Sequence, residues 1–456
     1  MRNIHKHVRF MVAVIAAAFI SSCAQKDYKK QIHDPFLYSK TVKKLNDIVL
    51  ENNFPPMIAS RNYVYANIAA YECVAAGDSN YISLSGQIRH MPEMPKPIQG
   101  KEIDYQLASL LAFTKVGNAV TFPEGSMMEY YDQLVNQADE AGMKDKMIED
   151  SKEFAETISM AIMAWSKKDN YAETRSASKY TVSEDEGRWV PTPPAYASAN
   201  ESHWMEIRPL VIDSAGACRP IPAPPYNMKD TTSTFFKATM EVKEAVDNLT
   251  EEQKHIADFW DDNPFKTNVI GHVMFATKKF SPPGHWMNIV GIAAQKAGSD
   301  FNTTVYAYTK TAISMFDSFI SCWDEKYRSN LIRPETVITN HIDPEWRPYI
   351  QTPPFPSYVS GHSVLSASVA EVMTDIFGDN FSYTDTSLIE FGIDHRSFTS
   401  FRQASWEASM SRLYGGIHYM FDLEEGNKQG KMLGEIVVNR IRMRNDRKSS
   451  GLAEKN

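Results

Sequence analysis

Residues 353–376 read PPFPSYVSGHSVLSASVAEVMTDI, and the change of pattern inside this stretch decides the fold. Pro353, Pro354 and Pro356 rule out regular helix or a central strand up to that point. After Ser360, the residues Leu365, Val369, Val372 and Ile376 recur at helical spacing and form one apolar stripe. A proline-stiffened loop therefore feeds a core-facing helix. Ser360 and Gly361 fall at its start, where free backbone N–H groups and the positive end of the dipole attract anions. Gly361 lets an anion approach the backbone closely, and His362 adds a group that titrates near neutral pH. An ordinary serine cap followed by a surface histidine is the simpler reading of these three residues alone.

Outward from this helix, the same periodicity fills most of the chain. It appears at 41–51, 64–75, 104–116 and 153–166, and again from about 232 to 442, while strand-like alternation is scarce. Between the two helical halves lie WVPTPPAYA (189–197) and RPIPAPPYN (219–227), which read as an extended connector wrapped over the surface. The expected architecture is all-α: two helical-bundle halves joined by a proline-rich connector, with an oxyanion site in the C-terminal bundle. The expected division is a lipoprotein signal peptide at 1–22, a tether at 23–34, an N-terminal helical region at 35–188, the connector at 189–231, the site-bearing helical domain at 232–445 and a polar tail at 446–456.

The 456 residues are 43% hydrophobic and 23% charged, an ordinary globular balance. A formal net charge of -8 argues against a nucleic-acid partner. Arg2, Lys6 and Arg9 precede a short apolar run, MVAVIAAAFI (11–20), and then Ser21, Ser22 and Cys23. The run is too short to span a membrane and reads as an export signal. Its small residues before Cys23 resemble a bacterial lipobox, which implies lipidation of Cys23. The expected location is the cell envelope, outer membrane or periplasm-facing, with membrane contact only through that lipid. Cys73, Cys218 and Cys322 are odd in number with no C-x-x-C spacing, so they are expected to be buried and structural.

Two further segments carry chemistry. Near the end of a helix predicted from 305 to about 328, Trp323 and Lys326 share a face, and Arg333 follows just before Pro334. The third segment is Ser411-Arg412-Leu-Tyr-Gly415-Gly416-Ile-His418-Tyr-Met-Phe-Asp422. Its glycine pair breaks the helix and turns His418 inward, and Asp422 is placed to polarise His418 through its other ring nitrogen. Separately, each segment also reads as a solvated helix end or a surface ion pair.

Taken in order, Lys-x6-Arg-Pro, Ser-Gly-His and Ser-Arg-x5-His-x3-Asp resemble the signature of the type 2 phosphatidic acid phosphatase and vanadium haloperoxidase superfamily. The resemblance covers about 250–442, and it extends weakly to the connector through Trp189 and Trp204. It implies an oxyanion held by Lys326, Arg333, Ser360, Gly361, Arg412 and His418. In the haloperoxidase reading the site keeps vanadate, His418 is the metal ligand and His362 is the acid–base group. Hydrogen peroxide and halide are then the reactants, a small organic acceptor is possible, and the product is a hypohalous species. In the acid phosphatase reading, phosphate monoesters are cleaved through a phosphohistidine at His418, with Asp422 in support and His362 protonating the leaving group. Phosphate can occupy the same site as vanadate.

Trp323 and Phe355 lean toward the peroxidase. Both match halide-pocket positions of haloperoxidases, and phenylalanine at the second is similar to chloroperoxidases and bacterial iodoperoxidases. The lipoprotein signal also fits the bacterial iodoperoxidase-like group, which makes iodide the expected halide. Plain helix packing is the alternative for both aromatics. Asp261 or Asp262 is either a partner of Arg412 or a helix-surface residue. His272, His285, His341 and His395 receive no role. No G-x-S-x-G or H-E-x-x-H occurs, and Gly426 to Lys431 is one residue short of a phosphate loop. A non-catalytic oxyanion-capture protein would leave two histidines unexplained, since binding alone needs only donors.

Overall fold

A computed structural model describes residues 27–121, 126–263, 266–270, 273–277 and 279–445. The signal segment, Cys23 and the polar tail lie outside the described residues. The N-terminal bundle comprises α1 (Lys29–Ile32), α2 (Pro35–Glu51), α3 (Pro56–Gly77), α4 (Tyr105–Val120), α5 (Ser126–Glu140), α6 (Asp145–Ser166) and a short α7 (Tyr171–Ser176). Its helices begin where the sequence supplies a cap. Asp34 and Asp104 accept the backbone N–H groups of Phe36 and Leu107, each at 2.9 Å. Caps of this kind are worth about 1 kcal/mol. Helix α3 is buried along its whole length from Met57 to Val74, and α4 packs against it.

The second bundle comprises α8 (Thr234–Asp247), α9 (Glu251–Phe259), α10 (Pro282–Lys296), α11 (Phe301–Ser329), α12 (Pro334–His341), α13 (Gly361–Phe377), α14 (Phe401–Tyr414) and α15 (Met420–Arg440). Two antiparallel hairpins interrupt the expected helical run: β1 (Lys266–Ile270) with β2 (Val273–Thr277), and β3 (Tyr383–Asp385) with β4 (Arg396–Phe398). The second hairpin has a local cause. Gly378, at φ +97°, stops α13, and Tyr383 then faces Phe398 across the ladder, their ring centroids 5.5 Å apart.

Helix α11 is common to both bundles. It packs on α3 on one side and on α13 on the other. Thr309 donates to the Asn67 carbonyl at 3.0 Å, and Ser314 meets Ser368 at 2.6 Å. Helices α13 and α15 approach more closely still. Gly426, Gly430 and Gly434 form a stripe on α15, and a Cβ at Gly434 would lie 2.6 Å from the Ser368 carbonyl oxygen. A Cβ at Gly426 would lie 2.9 Å from Ser363 Cβ and 3.1 Å from the Ser360 carbonyl oxygen. These glycines serve backbone contact between helices, which removes any phosphate-loop reading.

The connector does more than cross the surface. Trp189, Trp204, Leu210 and Ile212 are buried. The backbone N–H groups of Leu210, Val211 and Ile212 donate to the buried Asp317 carboxylate of α11, at 2.7, 2.7 and 3.0 Å. A segment without its own ladder must find such partners once it is buried, and α11 supplies one. Cys73, Cys218 and Cys322 are free and buried. Among the described residues no helix is long and apolar enough to cross a membrane.

Candidate active site

Helix α11 delivers Lys326 fully buried, with Nζ donating to the carbonyls of Pro356 and Ser357 at 2.9 and 3.0 Å. An ammonium has three hydrogens, so one remains after these two bonds. The helix ends at Asn330, whose φ of +49° turns the chain back and brings Arg333 inward. Arg333 is fully buried. Its Nε donates to the Phe355 carbonyl and its Nη1 to the Ile417 carbonyl, both at 2.8 Å. Arg333 Nη2 has no hydrogen-bond partner among the described residues. Burial lowers the proton affinity of Lys326, and it lowers Arg333 and Arg412 to about 10. An anion placed among these three cations would relieve that cost.

Ser360 caps α13, accepting the Ser363 N–H at 3.3 Å, and its own N–H donates to the Asp422 carbonyl at 3.1 Å. A Cβ at Gly361 would lie 3.8 Å from Trp323 Cζ3 and 4.0 Å from Lys326 Cε. That space stays open because the residue is glycine. His362 lines the same pocket as Arg412 and His418. Its Nε2 has no hydrogen-bond partner among the described residues. Burial first, then Arg412 and His285, holds its ring well below the usual histidine range.

His418 stands just before α15, after the turn made by Gly415 and Gly416, the latter at φ +76°. Its Nδ1 lies 2.7 Å from Asp422 Oδ2, and its Nε2 lies 3.0 Å from Arg333 Nη1. A guanidinium can only donate, so Nε2 is the acceptor and the network assigns the ring proton to Nδ1, donated to Asp422. His418 is therefore a neutral imidazole whose Nε2 lone pair is directed among the cations. Burial, then Arg333 and Lys326, depresses its basicity far below the usual value. Asp422 reaches His418 from the first turn of α15, not from a helix shared with it. Ser357, which no spacing singled out, donates to Asp422 Oδ2 at 2.5 Å and fixes that carboxylate.

Trp323 and Phe355 form one wall of the pocket, with ring centroids 5.1 Å apart. Lys326 Nζ lies 4.9 Å from the centroid of Phe355. The connector reaches this wall too, because the Asn200 carbonyl accepts from Trp323 Nε1 at 3.3 Å and from the Tyr327 hydroxyl at 2.7 Å. The structure thus brings together all the oxyanion-binding candidates and both aromatics. Their chemistry suits a multiply charged oxyanion: cationic donors, helix-start amides and one imidazole lone pair.

Asp261 and Asp262 are buried beyond the end of α9, which overturns a helix-surface role, and both act on Arg412 electrostatically. Asp262 belongs to a chain of groups that sequence spacing could not reveal. The fully buried His285 of α10 has Nδ1 at 3.0 Å from Asp262 Oδ1 and Nε2 at 2.9 Å from Asp385 Oδ2. Asp385 also accepts from the Ser387 N–H and hydroxyl, at 3.0 and 2.6 Å. Burial disfavours the charged ring, but the two carboxylates overcome this and push His285 up to about 10. A folded-state value above the unfolded ~6.5 means that this stabilisation is complete below about pH 6.5 and fades as pH rises through about 10. The melting-temperature gap between wild type and His285→Gln is therefore expected to shrink between pH 6.5 and 10. A gap constant across that range would show that His285 carries no charge.

A model of the VCPO second helical-bundle domain matches residues 306–446. The solved structure described as the first bacterial vanadium-dependent iodoperoxidase is 44% identical, covers 91% of this chain and 98% of its own, and superposes with a TM-score of 0.86. Holo and apo forms of a bacterial vanadium-dependent chloroperoxidase share the fold at 15% identity, both with a TM-score of 0.62. They cover 85% of this chain and 92% and 94% of their own. No curated protein matches the chain.

Proposed function

The chain belongs to the vanadium-dependent haloperoxidases, and from that premise we propose that it uses hydrogen peroxide to oxidise halide, iodide foremost, with vanadate as its cofactor. Lys326, Arg333, Ser360, Gly361 and Arg412 would hold the vanadate oxygens, and His418 Nε2 would be the metal ligand. The observation that carries this reading is the His418 lone pair, aimed between buried cations of which Arg333 still has an unused N–H group. When bound, vanadate supplies a Lewis acid that polarises peroxide for attack by halide.

The protein's own part is to orient and to move protons. Asp422 keeps the Nδ1 proton on His418, so the lone pair stays on the pocket side. His362, neutral at rest, takes up a proton as peroxide enters and returns it as the oxidised halide leaves. Trp323 and Phe355 present an apolar wall suited to a large, weakly hydrated halide. Iodide is also the halide most easily oxidised. Small organic molecules would be halogenated only after release of the hypohalous species, or beside the wall at Asn200. From the sequence, residues 1–22 and Cys23 would export the protein and anchor it by lipid to the cell envelope, with the domain division outlined above.

The test is to load purified protein with orthovanadate and follow peroxide-dependent oxidation of iodide, bromide and chloride, beside p-nitrophenyl phosphate hydrolysis by the vanadate-free form. Iodide is expected to be turned over fastest. Phosphate ester hydrolysis without any halide oxidation would replace this reading with the phosphohistidine one, which the same His418–Asp422 pair could serve. His362→Ala is expected to lower iodide oxidation by about 10²- to 10⁴-fold, the usual worth of a positioned acid–base group. Vanadate affinity should remain, as measured by equilibrium dialysis. An unaltered rate would remove His362 from the mechanism.

A further inference from the structure

His362 has a polar neighbour of its own. Its Nε2 lies 3.8 Å from Asp262 Oδ2, within ion-pair range but too long for a hydrogen bond. Asp262 is buried, and its position is fixed by His285, whose Nδ1 lies 3.0 and 3.2 Å from its two oxygens. His285 in turn is held at Nε2 by Asp385 of β3. The imidazole ring is clamped sideways as well. The Trp260 and Phe259 ring centroids lie 4.8 and 5.4 Å from it. Only a doubly protonated ring can donate to a carboxylate at each nitrogen. The buried row Asp385–His285–Asp262 therefore reads minus, plus, minus, and its open end is the Asp262 oxygen facing His362.

We propose that His285 is a positioning residue for His362 and acts through Asp262, holding that carboxylate so that Oδ2 accepts the Nε2–H of His362 once the ring is protonated. The proposal rests on the reading of His362 as the acid–base group. It gives the β3–β4 hairpin a function, since Asp385 is the only hairpin residue in the row. It also explains a fully buried histidine in α10 that plain packing would not require. His285 Nδ1 reaches both oxygens of Asp262, at 3.0 and 3.2 Å, and so fixes the orientation of that carboxylate toward His362. Asp262 is then available as an acceptor for His362.

Three measurements test this. In ¹⁵N-histidine spectra of the vanadate-free protein at pH 8, the signal that disappears in His285→Gln should show both ring nitrogens protonated. A neutral ring there overturns the proposal. In the vanadate-loaded protein, Asp262→Asn and His285→Gln should each lower kcat/KM for peroxide by about 10- to 100-fold, the range seen when an outer partner of a site is lost. Asp385→Asn, the milder variant should His285→Gln fold poorly, should lower it in the same direction and by less. Orthophosphate affinity of the vanadate-free His285→Gln and Asp385→Asn proteins should stay within about twofold of wild type, because neither residue bonds an oxyanion donor; Asp262→Asn also removes a charge that acts on Arg412 and is left out of this comparison. On a His362→Ala background the same substitutions should cost nothing further, since partners that act through one another are not additive. Equal losses on that background would make the row merely structural and overturn the proposal, as would unaltered rates. A wild-type protein that binds vanadate yet oxidises no halide would instead sink the functional reading, and this inference with it.

Discussion

A His418→Ala protein is expected to lose vanadate-dependent iodide oxidation while keeping its fold and most of its affinity for orthophosphate. The fold survives because the neighbours of His418 have other partners. Arg333 Nη1 retains the Ile417 carbonyl, and Asp422 retains the Ser357 hydroxyl and the Tyr419 N–H. Phosphate needs the cations and the helix-start amides, and all of them remain. Bound as proposed, vanadate would need a nitrogen lone pair in addition, and His418 Nε2 offers it beside Arg333, whereas His362 Nε2 faces Asp262. Losing a group that merely supports a metal ligand costs about 10- to 100-fold in metal affinity, so losing the ligand itself should cost more. Equilibrium dialysis with vanadate and with phosphate separates the two affinities. Added imidazole should restore part of the activity by filling the vacated space. Iodide oxidation that persists undiminished in His418→Ala would sink the assignment.

The second large effect is expected from Arg333→Met. The Arg333 side chain ties the Phe355 and Ile417 carbonyls together and still has Nη2 to offer. A charge-assisted hydrogen bond contributes about 1.5–3 kcal/mol, and tenfold in affinity corresponds to about 1.4 kcal/mol. One or two such bonds to a bound oxyanion therefore amount to about 10- to 10⁴-fold in affinity. Stability without ligand should respond less clearly. Methionine leaves two buried carbonyls short of a donor, yet it also removes a guanidinium whose depressed proton affinity reports the cost of burying it. The clean readout is the rise in melting temperature on adding orthovanadate, because a ligand that binds only the folded state stabilises it. Wild type should show that rise and Arg333→Met should show little. An equal rise in both would mean that Arg333 does not touch the oxyanion.

The site was legible in sequence wherever chemistry and local backbone coincide. Ser360 and Gly361 stand at a helix start because prolines end just before them and an apolar stripe begins just after. Lys326 and Trp323 share a face because they are three residues apart on one helix. The Asp262–His285–Asp385 row was not legible, because its members lie on a loop, a helix and a strand, separated by 23 and 100 residues in sequence. No periodicity links them, and a lone histidine in an apolar helix has no signature of its own. Ser357 was hidden for a similar reason: its role exists only because α15 brings Asp422 against the proline loop. The connector was misjudged in part, since prolines reveal extended backbone but not where its N–H groups go. Here they go to Asp317, on a helix more than 100 residues further along.

The glycine stripe on α15 bears on selectivity as well as on packing. The amides of α13 that face the pocket and the Asp422 carbonyl that holds the Ser360 N–H belong to two helices in main-chain contact. The helix-start side of the site is thus set by main-chain contact, while the side facing it is set by the buried side chains of Lys326, Arg333 and Arg412. The aromatic wall is built differently. Its two aromatics stand on α11 and on the proline loop, and neither belongs to the glycine-packed helix pair. If this wall contacts halide as proposed, substitutions in it can alter halide preference while leaving the packing of α13 on α15 unchanged. The scaffold can in this way vary its aromatic wall without disturbing the main-chain contact between the two helices.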